Sequence, residues 1–309
     1  MTLDRRVVLV TRRTRLDGLL ERFHTVEGAR FYVERLGADF GEYEREHRVY
    51  QAARGLVQET LVRHGRWHTI DRRYLPSFLF GADDVVIALG QDGLVANIMK
   101  YLDGHPLVGV NPDASTFDGV LLPFAPDGIS TLLPEVLRDA RQDRRITMAE
   151  ASLPDGQRML AVNDLFIGPR SHTSARYELH WKKKTETQSS SGVIVSTGLG
   201  STGWMTSVVT GSLGIATAWA KGGRAVQYEP MAWDSGKLRF AVREPFPSRV
   251  TGAHLVYGEF DASNPLTLRS QMAEGGVIFS DGIEDDRISL DAGVTVTIRP
   301  ASRAGRLIV

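Results

Sequence analysis

Residues 85–111 read VVIALGQDGLVANIMKYLDGHPLVGVN, and the order of elements in this stretch sets the fold of the N-terminal part. VVIALG (85–90) is a short apolar run entered from the turn formers Gly81, Asp83 and Asp84, which predicts a buried strand. In 94–103, Leu94, Val95, Ile98, Met99 and Leu102 recur at helical spacing and share one face. LVGVN (107–111) is a second buried strand. Strand, helix, strand in this order requires a right-handed crossover and hence parallel pairing. Upstream, RVVLVT (6–11) adds a strand, 17–36 is charged with spaced apolar positions, and 50–64 reads as a helix. Residues 1–140 are therefore predicted to form an α/β domain with a parallel sheet.

The pattern changes beyond about residue 140. A helical face of Leu132, Leu133, Val136, Leu137 and Ala140 leads into alternating segments: 159–168, 175–181, 192–197, 237–244, 264–270, 275–282 and 294–300. Turn residues separate them, which predicts a β-rich, mostly antiparallel domain over 141–309. One helical stretch, 204–221, interrupts it. KKKTETQSSSG (182–192) is polar throughout and reads as a hairpin tip or flexible loop.

Composition bounds the function. The chain has 309 residues, too many for one ordinary domain and suited to two. With 37 basic and 37 acidic residues the net charge is zero, so a general nucleic-acid coat or polybasic membrane anchor is not expected, although a local basic pocket is compatible. There is no cysteine, which removes disulfides, zinc–thiolate sites, iron–sulfur clusters and thiol nucleophiles together. No apolar run reaches the roughly 18 residues of a membrane span, and MTLDRRVVLV is not patterned as a signal peptide. A cytoplasmic protein is expected. The eight histidines show no metal-ligand spacing, and no G-x-S-x-G elbow supports a serine hydrolase.

Four motifs could carry chemistry. GQDG (90–93) lies between a strand and a helix, where Gly90, Gln91 and Gly93 could bring backbone N–H groups to a phosphate, the glycines through close approach and unusual φ. Asp92 repels an anion, so it reads as a base for a hydroxyl proton, a partner of Mg²⁺, or a helix cap. Asn163 and Asp164 are adjacent polar residues in an apolar run and, if that run is one strand, point to opposite faces. They read either as ribose or base contacts or as a loop edge. STGLGSTGW (196–204) is rich in N–H and hydroxyl donors, and Trp204 at its end could stack on a flat ring or pack. SDG (280–282) reads as a tight turn.

In this order the motifs resemble the NAD kinase family, whose members carry a GGDG loop, a GVN segment, an N-E or N-D pair, a glycine- and hydroxyl-rich loop and a late DG turn. Here these are GQDG (90–93), GVNPD (109–113), ND (163–164), STGLGSTGW (196–204) and SDG (280–282). Thr14-Arg15, Ser190–Gly192, Trp204 and Arg243-Glu244-Pro245 resemble the mitochondrial-type branch. The resemblance covers about residues 6–300. It implies an ATP- and Mg²⁺-dependent kinase that phosphorylates the adenosine-ribose 2′-hydroxyl of NAD to give NADP. It implies Asp92 as base, Asn163, Asp164, Ser201, Thr202, Trp204 and Ser207 around the dinucleotide, and a homo-oligomer, most simply a dimer. The metal ligands stay unassigned, and the donor could be ATP, another nucleotide or polyphosphate. A sugar or lipid kinase of the same superfamily and a non-catalytic NAD(P) sensor are the alternatives.

The sequence departs from the family pattern at two points of the first loop. Gln91 stands where the second glycine is usual; if that position needs φ > 0, Gln costs roughly 1 kcal/mol or more. Leu94 stands where Thr is usual and removes a hydroxyl.

Overall fold

The computed structural model describes residues 5–219 and 227–309. The chain forms two compact units, Met1–Arg144 with Arg306–Val309, and Arg145–Gly305.

The first unit is built on parallel strands in the order β2-β1-β3-β4. β1 (Val7–Thr11), β3 (Val85–Leu89) and β4 (Pro106–Val110) are buried at every residue, which is why they read as unbroken apolar runs. β2 (Trp67–Asp71), the edge strand, was not legible as one because Ile70 alone of WHTID is buried. The end of β16 (Thr295–Ile308) lies beside β4, with Arg306 and Leu307 parallel to Pro106 and Leu107. Among the described residues of this unit are five α-helices: α1 (Arg15–Phe23), α2 (Val26–Arg35), α3 (Phe40–His64), α4 (Asp92–Met99) and α5 (Ile129–Leu137). α3 sets Tyr50, Ala53, Val57 and Leu61, spaced one turn apart, into the core formed with Val7, Leu9, Ile87 and Val110. α1 starts in a capping box in which Thr14 Oγ1 accepts from the Asp17 N–H and the Asp17 carboxylate accepts from the Thr14 N–H. That cap fixes the turn by which the chain leaves β1.

The second unit is mostly antiparallel. One sheet runs β12-β11-β10-β7-β14-β15, formed by Tyr257–Asp261, Lys237–Arg243, Gly192–Ser196, Asp164–Pro169, Gly276–Ser280 and Ile283–Ser289. A second set joins β16 to β13 (Leu266–Ser270), then β8 (Ala175–Trp181) and β9 (Lys184–Ser190), while β5 (Asp143–Ser152) pairs with β16 and β6 (Arg158–Ala161). The two sets share one core, in which Leu165, Ile167, Val193, Val195 and Phe240 meet Tyr177, Leu179, Leu268, Val296 and Ile298. Alternation in the strands sends Phe166, Ile194 and Ala241 to the other face of the first sheet. There they pack under α6 (Trp204–Trp219), through Trp204, Met205, Val208 and Val209. No helix among the described residues is long and apolar enough to cross a membrane.

Two expectations change, and a third reaches beyond the described residues. Residues 159–168 are not one strand: β6 ends at Ala161, β7 starts at Asp164, and Asn163 lies in the turn between them. The cause is Asp281, whose carboxylate collects the N–H groups of Val162, Asn163 and Asp164. KKKTETQSSSG is mostly strand, since β9 pairs with β8 over seven positions and leaves Lys182 and Lys183 as the turn. Part of its polarity is met internally: Ser190 Oγ bonds Tyr177 Oη at 2.8 Å, and buried Gln188 donates to the Leu255 carbonyl at 3.1 Å. The helix expected over 204–221 is described to Trp219; Ala220 and Lys221 lie outside the described residues.

Candidate active site

In the first unit the GQDG loop follows β3 and opens α4. The Gly90 N–H bonds the Val110 carbonyl at 3.2 Å, which ties the loop to β4. Gln91 is the N-cap at φ −90, ψ 163, an extended conformation open to any residue, so the expected backbone cost of Gln91 does not arise. Neither Gly90 nor Gly93 has a positive φ, and a Cβ on Gly93 would meet nothing within 4 Å. A Cβ on Gly90 would stand 2.9 Å from the Leu94 side chain, which is buried beneath it. Asp92 is the first residue of α4 rather than its cap, and is half-buried. Its Oδ1 accepts the Leu121 N–H at 2.7 Å. That contact depends on Gly109, because a Cβ there would lie 1.9 Å from the Leu121 carbonyl oxygen. The GVN segment thus lets the 111–121 loop close over β4 and hold the Asp92 carboxylate. Asn111 completes the loop, donating to the Phe117 carbonyl and accepting from the Asp113 N–H.

Beside this loop is a cavity of about 880 Å³ that no sequence motif announced. Arg12 and Arg13 reach it from the end of β1, Arg15 from the start of α1, Arg72 and Arg73 from the end of β2, Arg45 from α3, and Gln91 from the GQDG loop. It therefore sits at the carboxyl ends of parallel strands, the usual place for ligands in such sheets. Six arginines face four carboxylates, Glu42, Glu46, Asp71 and Asp113. Glu46 holds Arg12 at 3.1 Å and Arg15 at 2.6 Å. Burial works against the charge on Glu46, but these two hydrogen bonds outweigh it and hold the carboxyl below its usual range. Tyr50 ties the strand ends together, accepting the Arg12 N–H and donating to the Leu89 carbonyl, and burial pushes its hydroxyl up to about 12. The sequence signal that could have found this cavity is the placement of the two arginine clusters, TRRTR (11–15) and DRR (71–73), just after strands.

In the second unit the predicted residues gather where β7 begins and β10 and β14 end. Asp164, Ser196, Arg239 and Glu259 form a polar row across β7, β10, β11 and β12. Burial pushes the Asp164 carboxyl up, the negative charge of Asp281 adds to this, and a hydrogen bond from Ser196 opposes it; the result is about 7. Its Oδ1 is buried with no partner. The 197–203 loop is folded back on the Asn163 turn: Thr197 Oγ1 donates to the Val162 carbonyl at 2.6 Å and its N–H to the Asn163 carbonyl at 3.0 Å. Gly198 and Gly200 are required here, since a Cβ on either would fall 1.9 Å from the Ala232 oxygen or 2.1 Å from the Asn163 oxygen.

The other predicted residues divide. Ser201 is fully buried and spends its hydroxyl internally, donating to Gly198 and accepting from the Met231 N–H. Thr202 and Ser207 are exposed. Trp204 packs: its ring stacks on Phe166 at 5.8 Å, and the Arg243 guanidinium lies 5.6 Å from it. Ser196, Thr197 and Asp281 are the residues that sequence reasoning did not assign to the site.

No family model and no curated protein sequence matches the chain. Solved structures do. An NAD kinase from Archaeoglobus fulgidus in complex with ATP is 17% identical, with a TM-score of 0.56, over 98% of this chain and 93% of that one. Yeast NADH kinase complexed with NADH is 14% identical, with a TM-score of 0.57, over 99% of this chain and 83% of that one. The chain has the NAD kinase fold. At these identities the likeness establishes the fold alone. Within the NAD kinase fold, GQDG is the loop after the third strand of the parallel sheet, and the Asn163 turn and the 197–203 loop belong to the antiparallel unit.

Proposed function

We propose that the protein is an NAD(H) kinase that transfers a phosphoryl group from ATP to the adenosine-ribose 2′-hydroxyl of NAD, with Asp92 as base. The carrying observation is the setting of Asp92. It is a half-buried carboxylate with one oxygen held by the Leu121 N–H, in the loop whose Gln91 lines an arginine-rich cavity. Phosphoryl transfer asks little covalent work of a protein; it needs cations around the phosphates and one acceptor for the hydroxyl proton. The arginine cavity supplies the first and Asp92 the second. The two fold relatives, one solved with ATP and one with NADH, support the same pair of ligands.

The polar row and the free side-chain amide of Asn163 are assigned to the dinucleotide. Thr202 and Ser207, both exposed, join them, while Ser201 and Trp204 support the loop from inside. Among the described residues no group of three or more His, Asp or Glu side chains could hold a metal. Mg²⁺ is assigned to the donor as its ATP complex. The mitochondrial-type motifs and a homodimer complete the reading.

The test is a coupled assay with NAD or NADH, ATP and Mg²⁺, reading NADP(H) with a specific dehydrogenase. Asp92→Asn keeps an oxygen for the Leu121 N–H, so it should fold normally and lose about 10²–10⁴ in kcat. Product formed equally by the variant would remove Asp92 as base. No product from the wild type with any nicotinamide dinucleotide would overturn the reading.

A further inference from the structure

We propose that Asp281 is a positioning residue for the second unit's site: it fixes the turn bearing Asn163 and Asp164 and sets an anion beside the buried Asp164 carboxyl, which meets a nucleotide as a hydrogen-bond donor. The inference rests on the reading of this cluster as a dinucleotide site and deepens it.

The geometry is specific. Asp281 and Gly282 take φ of 54 and 72, a hairpin turn with both central residues left-handed. This conformation is uncommon for an aspartate, and here it aims the carboxylate back across the sheet. Oδ1 accepts the N–H of Asn163 at 2.6 Å and of Asp164 at 3.3 Å, and both oxygens lie 3.1 Å from the Val162 nitrogen. The Asp281 N–H in turn donates to the Asp164 carbonyl at 3.0 Å. A carboxylate that takes three backbone N–H groups is stabilised as the anion. Asp281 is therefore the charged member of the pair. Asp164, with Oδ1 buried and unpartnered, is the member that carries the proton.

The groups around Asp164 agree. β10 presents Ser196, which is uncharged. The base in its row, Arg239, is engaged by Glu259 at 3.3 Å and by the Glu229 carbonyl at 2.6 Å. α6, packed on the same face of the sheet, contains no charged residue. A protonated carboxyl suits a ligand whose adenosine offers acceptors, ring nitrogens and ribose oxygens, and whose phosphates would be repelled by a second anion.

The experiment has two readings on the whole protein. Carboxyl-carbon NMR of ¹³C-labelled aspartates follows Asp164 without ligand, assigned by Asp164→Asn, and calorimetry follows NAD affinity over pH 5–8. In the wild type Asp164 should titrate near neutrality, and NAD should bind about tenfold more weakly at pH 8 than at pH 6. Asp281→Asn should move both midpoints down by about one pH unit, because a neighbouring anion is gone. Asp164→Asn should remove the pH dependence of binding. An Asp164 that titrates in the ordinary carboxylate range overturns the proposal, as does a midpoint unmoved in Asp281→Asn or NAD affinity flat with pH. If Asp281→Asn does not fold, the wild-type titration and the Asp164→Asn binding profile still decide. Expected titration with no binding of NAD or NADH at any pH overturns the nucleotide role and the proposed function, while leaving the carboxyl pair.

Discussion

The Cβ that Gly200 lacks would stand 2.1 Å from the carbonyl oxygen of Asn163, so the glycine-rich loop and the turn before β7 are packed backbone on backbone. Gly200→Ala should therefore destabilise the protein by about 2–4 kcal/mol, as overpacking against main chain does. Gly211→Ala is the control. It lies on α6 with open space where its Cβ would go, and should stabilise by about 0.5–1 kcal/mol. Urea unfolding of both variants measures the difference.

Asp164 makes stability depend on pH with an unusual sign. Its carboxyl is raised from 3.8 to about 7 in the folded chain, so the folded state binds more protons than the unfolded state in that window. Stability should fall as pH rises from about 4 to 7 and level off above. Asp164→Asn should remove that loss and leave the variant about 1–3 kcal/mol more stable than the wild type at pH 8. Thermal unfolding of both proteins from pH 4 to 8 tests it.

Gln91→Gly should not improve turnover. Gln91 occupies an extended conformation that demands no glycine, so kcat should stay within about twofold, and the variant should lose about 0.5 kcal/mol through the freer unfolded chain. A severalfold rise in kcat would mean that the side chain obstructs the donor.

Arg72 is exposed, lines the arginine cavity and makes no ion pair among the described residues, unlike Arg45, which Asp113 holds at 3.0 Å. Arg72→Ala should raise the KM for ATP about tenfold with stability unchanged, the loss expected for one charge-assisted phosphate contact. Arg45→Ala should raise it similarly and also loosen the 113–117 loop. Steady-state kinetics with ATP as the varied substrate separates the two.

What was legible in the sequence follows from burial. β1, β3 and β4 are covered on both faces, so RVVLVT, VVIALG and LVGVN announced themselves as apolar runs. β9 did not, because its buried polar side chains bond partners such as Tyr177 and Leu255 that no local pattern reveals. The break at Asn163 was hidden for the same reason, its cause being a carboxylate 119 residues beyond Val162. Of the candidate site residues, Asp92 and Asp164 stand out by their neighbours in sequence. The arginine cavity does not, because the strand order β2-β1-β3 is what sets TRRTR, DRR and GQDG side by side.

The end of β16 carries a consequence for biosynthesis. Arg306 and Leu307 pair with β4, Ile308 is buried in the first unit's core, and the Val309 carbonyl accepts from Arg141, 168 residues earlier. As the chain leaves the ribosome, the first unit has its strands, helices and GQDG loop long before it has the strand that covers β4. Its sheet keeps an open edge through the whole synthesis of the second unit, so the first unit is completed only after the second has been made.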